Sequence, residues 1–161
     1  MNRRSVLKVA ASSVAGLALL AGSASAQQSS DIEAIKAAHQ AFYTALSARD
    51  VEAMEAVWAN TPYVVNIGPP SKTIAVGYAN AVANYWPATF DLFSHIDVTP
   101  SSIAQVQAGE KLASVVGTES AVLQRKSGGD PVKIEIFVTN IFERVGDRWL
   151  MISHHAQAIP K

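Results

Sequence analysis

Cysteine is absent from the 161-residue chain, which excludes disulfides, a thiolate nucleophile, Cys-ligated zinc and lipid attachment at cysteine. The spacings of a metal site are missing too. There is no His-x-His, no Glu-x-x-His and no Asp-rich loop, so no metal is expected. None of the serines sits in a nucleophile-elbow motif, which leaves nucleophilic catalysis unsupported. No cofactor is expected. The apolar stretch from about Val9 to Gly22 is shorter than the ~20 residues that span a bilayer, and Ser12, Ser13 and Gly16 dilute it.

What the first residues do carry is the order of an export signal: a basic start, an apolar middle and small residues, with Ala24-Ser25-Ala26 fitting the small-x-small cleavage rule. Arg3, Arg4, Leu7 and Lys8 resemble the twin-arginine export motif, and the ordinary secretory route is the alternative. The expectation is a signal over residues 1–26 and one domain over 27–161, located in the bacterial periplasm or outside. Losing the signal leaves 10 basic residues against 13 acidic ones. Neither nucleic-acid binding nor membrane contact is then expected of the mature chain.

From Asp31 the positions Ile32, Ile35, His39, Phe42 and Leu46 step by three and four, predicting an amphipathic helix that Asp31 caps and that ends near Arg49. Asp50 is placed to cap a second, shorter helix carrying Met54, Val57 and Trp58. "YVVNIG" reads as a short strand. A third helical segment covers about Gly77 to Phe93, and Pro87 must kink it or begin a second piece. Beyond Ser94, four β-branched runs are separated by "QAGE", "KSGGDP" and "VGDR", breaks short enough for hairpins. The fold class is α+β: three N-terminal helices packed on one face of a curved antiparallel sheet, enclosing a pocket.

In the third long run Ile134, Ile136, Val138, Asn140 and Phe142 share the face expected to look inward, with Lys133, Glu135 and Glu143 opposite. In the last, Trp149, Met151, Ser153, His155 and Gln157 alternate with Leu150, Ile152, His154 and Ala156. Both of its faces are rather apolar, so the outer one is expected to be covered by a second subunit. A bulge in this strand would change its register.

This order of elements, with "FYTALSARDVEAMEAVWAN", "GYANAVANYW" and "FERVGDRWLMISHHAQ", resembles the nuclear-transport-factor-2-like superfamily, within it the SnoaL-like and ketosteroid-isomerase-like proteins. The resemblance implies a cone-shaped domain with a pocket between sheet and helices, assembled as a homodimer through the outer sheet face. It does not bring steroid-isomerase chemistry with it. The family's aspartate base falls on Asn66, its tyrosine on Phe42 with Tyr43 next to it, and its acidic oxyanion donor on Asn140. Asn takes up no proton and Phe donates no hydrogen bond.

The candidate site is therefore built from Asn66 and Asn140 as amides that orient a bound molecule, and from His155 as the ionisable group, inward and beside Asn140. Gln157 is a rim group, while Tyr43, Trp58, Tyr63 and Trp86 are pocket wall or core. His154 is expected to face outward, His39 to lie on the apolar stripe of the first helix and His95 at the pocket edge. The leading reading is a pocket for a small, mainly apolar molecule. Two alternatives stay open: a cofactor-independent isomerase, cyclase or dehydratase using His155, and a non-catalytic module that binds a protein partner.

Overall fold

The structure is a computed structural model that describes the backbone of residues 13–160 and the side chains of residues 26–160. The export signal expected at residues 1–26 lies outside this range but for part of its backbone. The first helix, α1 (Ser13–Ala48), extends well before the expected start. Asp31 accordingly lies within it rather than capping it. The Ala- and Leu-rich stretch ahead of Asp31 favours helix, and the Asp31 carboxylate is taken by an ion pair to Arg144. Arg144 also stacks on Trp149, its guanidinium carbon 4.5 Å from the ring centre, so one cation ties the helix to the sheet.

α1 ends in a left-handed turn at Arg49 (φ 55°), where the Asp50 N–H donates to the Ala45 carbonyl. Asp50 then caps α2 (Val51–Val57) by accepting from the Ala53 N–H at 3.0 Å. The third segment divides as Pro87 requires. A π-helical turn (Ala79–Ala83) precedes α3 (Tyr85–Leu92), so the proline falls in the first turn of a new helix, where its missing N–H is tolerated. No helix among the described residues is long and apolar enough to cross a membrane.

The strands are β1 (Val65–Ile67), β2 (Ala75–Val76), β3 (Phe93–Ala108), β4 (Leu112–Arg125), β5 (Val132–Val145) and β6 (Arg148–Ala158). They form one sheet in the order β2-β1-β6-β5-β4-β3. The long strands make the expected antiparallel meander, and β5 turns into β6 through Gly146 at φ 61°. The sheet is mixed rather than wholly antiparallel, because β1 pairs parallel to β6. Ile35, Phe42, Leu46, Met54, Trp86 and Phe90 of the helices pack against Val115, Ile136, Phe142 and Met151 of the sheet.

One register differs from expectation. Phe142 pairs with Met151 and Ile141 with Ser153, which leaves Ile152 without a partner, a β-bulge that adds one residue to β6. Up to Met151 the odd-numbered residues look inward, and from His154 the even-numbered ones do. His154 is therefore buried and His155 exposed, the reverse of strict alternation from Trp149.

β3 is itself bulged between Pro100 and Ser102 and between Ile103 and Gln105. There the backbone of Ser102 and Ile103 approaches β4 so closely that a Cβ at Gly117 would collide with the Ser102 carbonyl. Backbone cannot swing aside as a side chain can. Gly117→Ala is expected to cost about 1–3 kcal/mol, read as a lower urea midpoint for an otherwise folded protein; an unchanged midpoint would show that the two strands can separate at this point.

Candidate functional site

A cavity of about 470 Å³ opens between α3, the loop Gly68–Pro70 and the inner faces of β3 and β4, within the size range of small-molecule sites. Its walls are mainly apolar, with Trp86, Ile96, Val98 and Leu123 among them. Two ionisable side chains form its buried end: Glu119, 3% exposed, and His154, 4% exposed. Arg125 lies on the exposed rim.

Glu119 comes from the centre of β4, on the face shared by Ala113, Val115, Gly117, Ala121 and Leu123. Its Oε2 atom has no hydrogen-bond partner among the described residues. Burial pushes its carboxyl up to about 7, and the neighbouring Tyr43 hydroxyl opposes part of that rise. Tyr43, one turn after His39 on α1, is fully buried behind this wall. Burial and the nearby Glu119 raise its phenol, so it stays protonated and remains a donor. Unsatisfied polar atoms cluster here, including Tyr43 Oη, Asn140 Nδ2 and Trp86 Nε1. Groups of this kind are costly to bury without partners.

Three residues make a polar row across the sheet, because Asn66 of β1 pairs with His154 of β6, which in turn pairs with Asn140 of β5. His154 Nδ1 lies 2.7 Å from Asn140 Oδ1. An amide oxygen only accepts, so Nδ1 carries the proton and Nε2 keeps its lone pair. Burial holds this ring neutral, its pKa lowered to about 3, with His155 and His39 adding to the shift. His39 is likewise lowered to about 4 by burial. Neither ring gains a proton near neutrality.

The expected residues thus separate into two groups. Trp86 lines the cavity, whereas Asn66, Asn140 and Tyr43 are buried outside its lining, Asn140 against His154 and Asn66 tying β1 to the π-helical turn by donating to the Ala81 carbonyl at 3.0 Å. Trp58 is buried in the core, where it bridges to Met151. His155 and Gln157 are exposed on the outer sheet face, and the cause is the Ile152 bulge. Tyr63 is 51% exposed and donates to Glu143 Oε2 at 2.6 Å, away from the cavity. His95, too, is exposed. The residue that sequence reasoning passed over is Glu119, although a lone acid at an inward β position between Gly117 and Ala121 was a signal for it.

Comparison with known proteins places this geometry in a family. Residues 35–160 match the model of the SnoaL-like domain, and the chain belongs to that family. Among solved structures it is similar to a nuclear-transport-factor-2-like superfamily protein from Salmonella enterica, with a TM-score of 0.75 and 12% identity over 83% of this chain and 94% of that one. It is also similar to a ketosteroid isomerase-like protein from Erwinia carotovora (0.68, 19%, 81% and 98%) and to a type 2 hexachlorocyclohexane dehydrochlorinase (0.67, 11%, 81% and 86%). At these identities the likeness is one of fold. No curated protein sequence matches the chain.

The buried carboxyl has a pH signature opposite to that of the two histidines. Glu119 binds its proton more tightly folded (about 7) than its ordinary 4.5, so stability is lost as pH rises across that window. His39 and His154 have lowered values, so their contribution is lost as pH falls from 6.5 towards about 4 and 3. Glu119→Gln is therefore expected to raise the melting temperature more at pH 8 than at pH 5. Thermal denaturation at the two pH values checks this, and an equal effect at both would remove the raised carboxyl.

Proposed function

We propose that this protein binds a small, mainly apolar molecule in the cavity and moves a proton on it with Glu119. The observation that carries the reading is a carboxyl poised near neutrality at the buried end of an otherwise apolar cavity. A base of that pKa is half ionised at working pH, close to the optimum for a group that must both take and return a proton. His154 is held neutral and Tyr43 stays protonated, so at pH 7 the exchangeable charge of the buried end rests on Glu119.

The step this arrangement supports begins with ionised Glu119 removing a proton from a carbon next to a carbonyl. The C–H electron pair moves into the carbonyl, and the charge that develops on its oxygen is met by a donor. Trp86 Nε1, buried and unpartnered on a residue that lines the cavity, is available for that role. Protonated Glu119 then returns the proton to the same or a conjugated carbon, which makes the net reaction an exchange or an isomerisation. Tyr43 and Asn140 position Glu119 and His154 from behind.

Solved structures of like fold include proteins named for isomerase-like character and for dehydrochlorination. Within this reading the signal order of residues 1–26 supports export, and the half-apolar outer face of the sheet, with Phe137 54% exposed, supports a homodimer.

The test is deuterium incorporation into enolisable apolar ketones in D2O, followed by NMR with the mature protein. Exchange above the buffer rate is expected, lowered by about 10² or more in Glu119→Gln and unchanged in His155→Ala. Ligand binding without exchange would leave a binding protein, and neither would overturn the reading.

A further inference from the structure

Arg125 has a place in the cavity that the proton-transfer reading does not use. It lies on the rim, and among the described residues it is the cation of the lining. Its guanidinium carbon stands 5.3 Å from the centre of the Phe93 ring, a stacked arrangement that restricts a long side chain before any ligand arrives. No carboxylate among the described residues pairs with it, whereas the next residue, Lys126, is held by Asp91 at 2.6 Å. The neighbouring Asp91 is thus already engaged by Lys126, and the Arg125 fork keeps its bidentate capacity unspent.

We propose that the cavity selects amphipathic anions, with an apolar body inside, a carboxylate held by Arg125 at the mouth and the reacting end against Glu119. This inference rests on the reading of the cavity as a ligand site and adds the class of molecule it takes. Glu119 and Arg125 stand on one regular strand, six residues apart, at register positions of one parity. Six extended residues separate their Cα atoms by about 20 Å, so a molecule that meets both groups is long in one direction. A long-chain acid bridges the whole span, and a medium-chain or fused-ring acid held at Arg125 fills its outer part.

The two charges also set the direction of entry. An anionic group driven to the buried end would meet Glu119, ionised in half the molecules near neutral pH, within low-dielectric walls that strengthen the repulsion. At the mouth it meets a cation. The ligand therefore enters with its neutral, enolisable end first, which delivers the acidic C–H to the base and leaves the carboxylate in partial contact with water.

The experiment is calorimetric titration of the mature protein with matched pairs, octanoate against octanamide and 2-naphthoate against 2-naphthamide. At about 0.02 M salt the acids are expected to bind about fivefold more tightly than the amides, with the advantage shrinking as salt rises. Arg125→Gln is expected to abolish that advantage while leaving the amides unaffected, and Arg125→Lys to keep part of it. Equal binding of acid and amide, or an Arg125→Gln change that weakens both alike, overturns the anion assignment and leaves the cavity reading intact. Binding of neither pair overturns the cavity reading, and this inference with it.

Discussion

A single unpaired residue in β6, Ile152, decides which side chains the cavity meets. A strand alternates its faces with period two, so one inserted residue exchanges inside for outside from that point onward. Trp149 and Met151 lie before the bulge and stay in the core. His154 and Ala156 lie after it and turn inward in place of His155 and Gln157. The polar row from Asn66 through His154 to Asn140 exists because of that shift. Without it, Ser153 would stand opposite Asn140, and the buried Asn140 amide would lack the imidazole that now satisfies its oxygen.

The buried end of the cavity concentrates polar groups that an apolar interior would ordinarily reject. They are tolerated by different means. The histidines are neutral and one of them is hydrogen-bonded, so burial costs little more than their ring nitrogens' lost water. Glu119 is the exception, since it is ionisable in the working range. Natural proteins depart from local consistency mainly at functional sites, and an acid in the middle of an inward strand face is such a departure. Tyr43, whose hydroxyl has an unmet polar atom, gives that acid a directed neighbour in place of bulk water.

Periodicity was enough for the helices, the meander and the inward face of β5, because each of those rests on interactions within a few residues or on unbroken alternation. The burial of Asn66, Asn140, Tyr43 and Trp86 was legible on the same grounds. The reversal of His154 and His155 was not, since alternation says nothing about where an extra residue is inserted; that depends on how β6 must bend between β5 and β1. The Asp31 cap failed for a similar reason, the carboxylate being claimed by Arg144, more than a hundred residues away in the chain. Glu119 was legible in pattern, as a charge at an apolar position, but its chemistry depends on the walls that the helices and the other strands raise around it.

The position of β6 in the sheet bears on how the chain reaches its native state. β6 is last in sequence yet interior in the sheet, flanked by β5 on one side and by β1 on the other. Residues 65–67 must therefore wait for residues 153–155 before their ladder can form. Closing a loop that long costs entropy before any contact repays it. β6 thus covers the edges of two strands at once, β5 and β1, which would otherwise be open to intermolecular pairing.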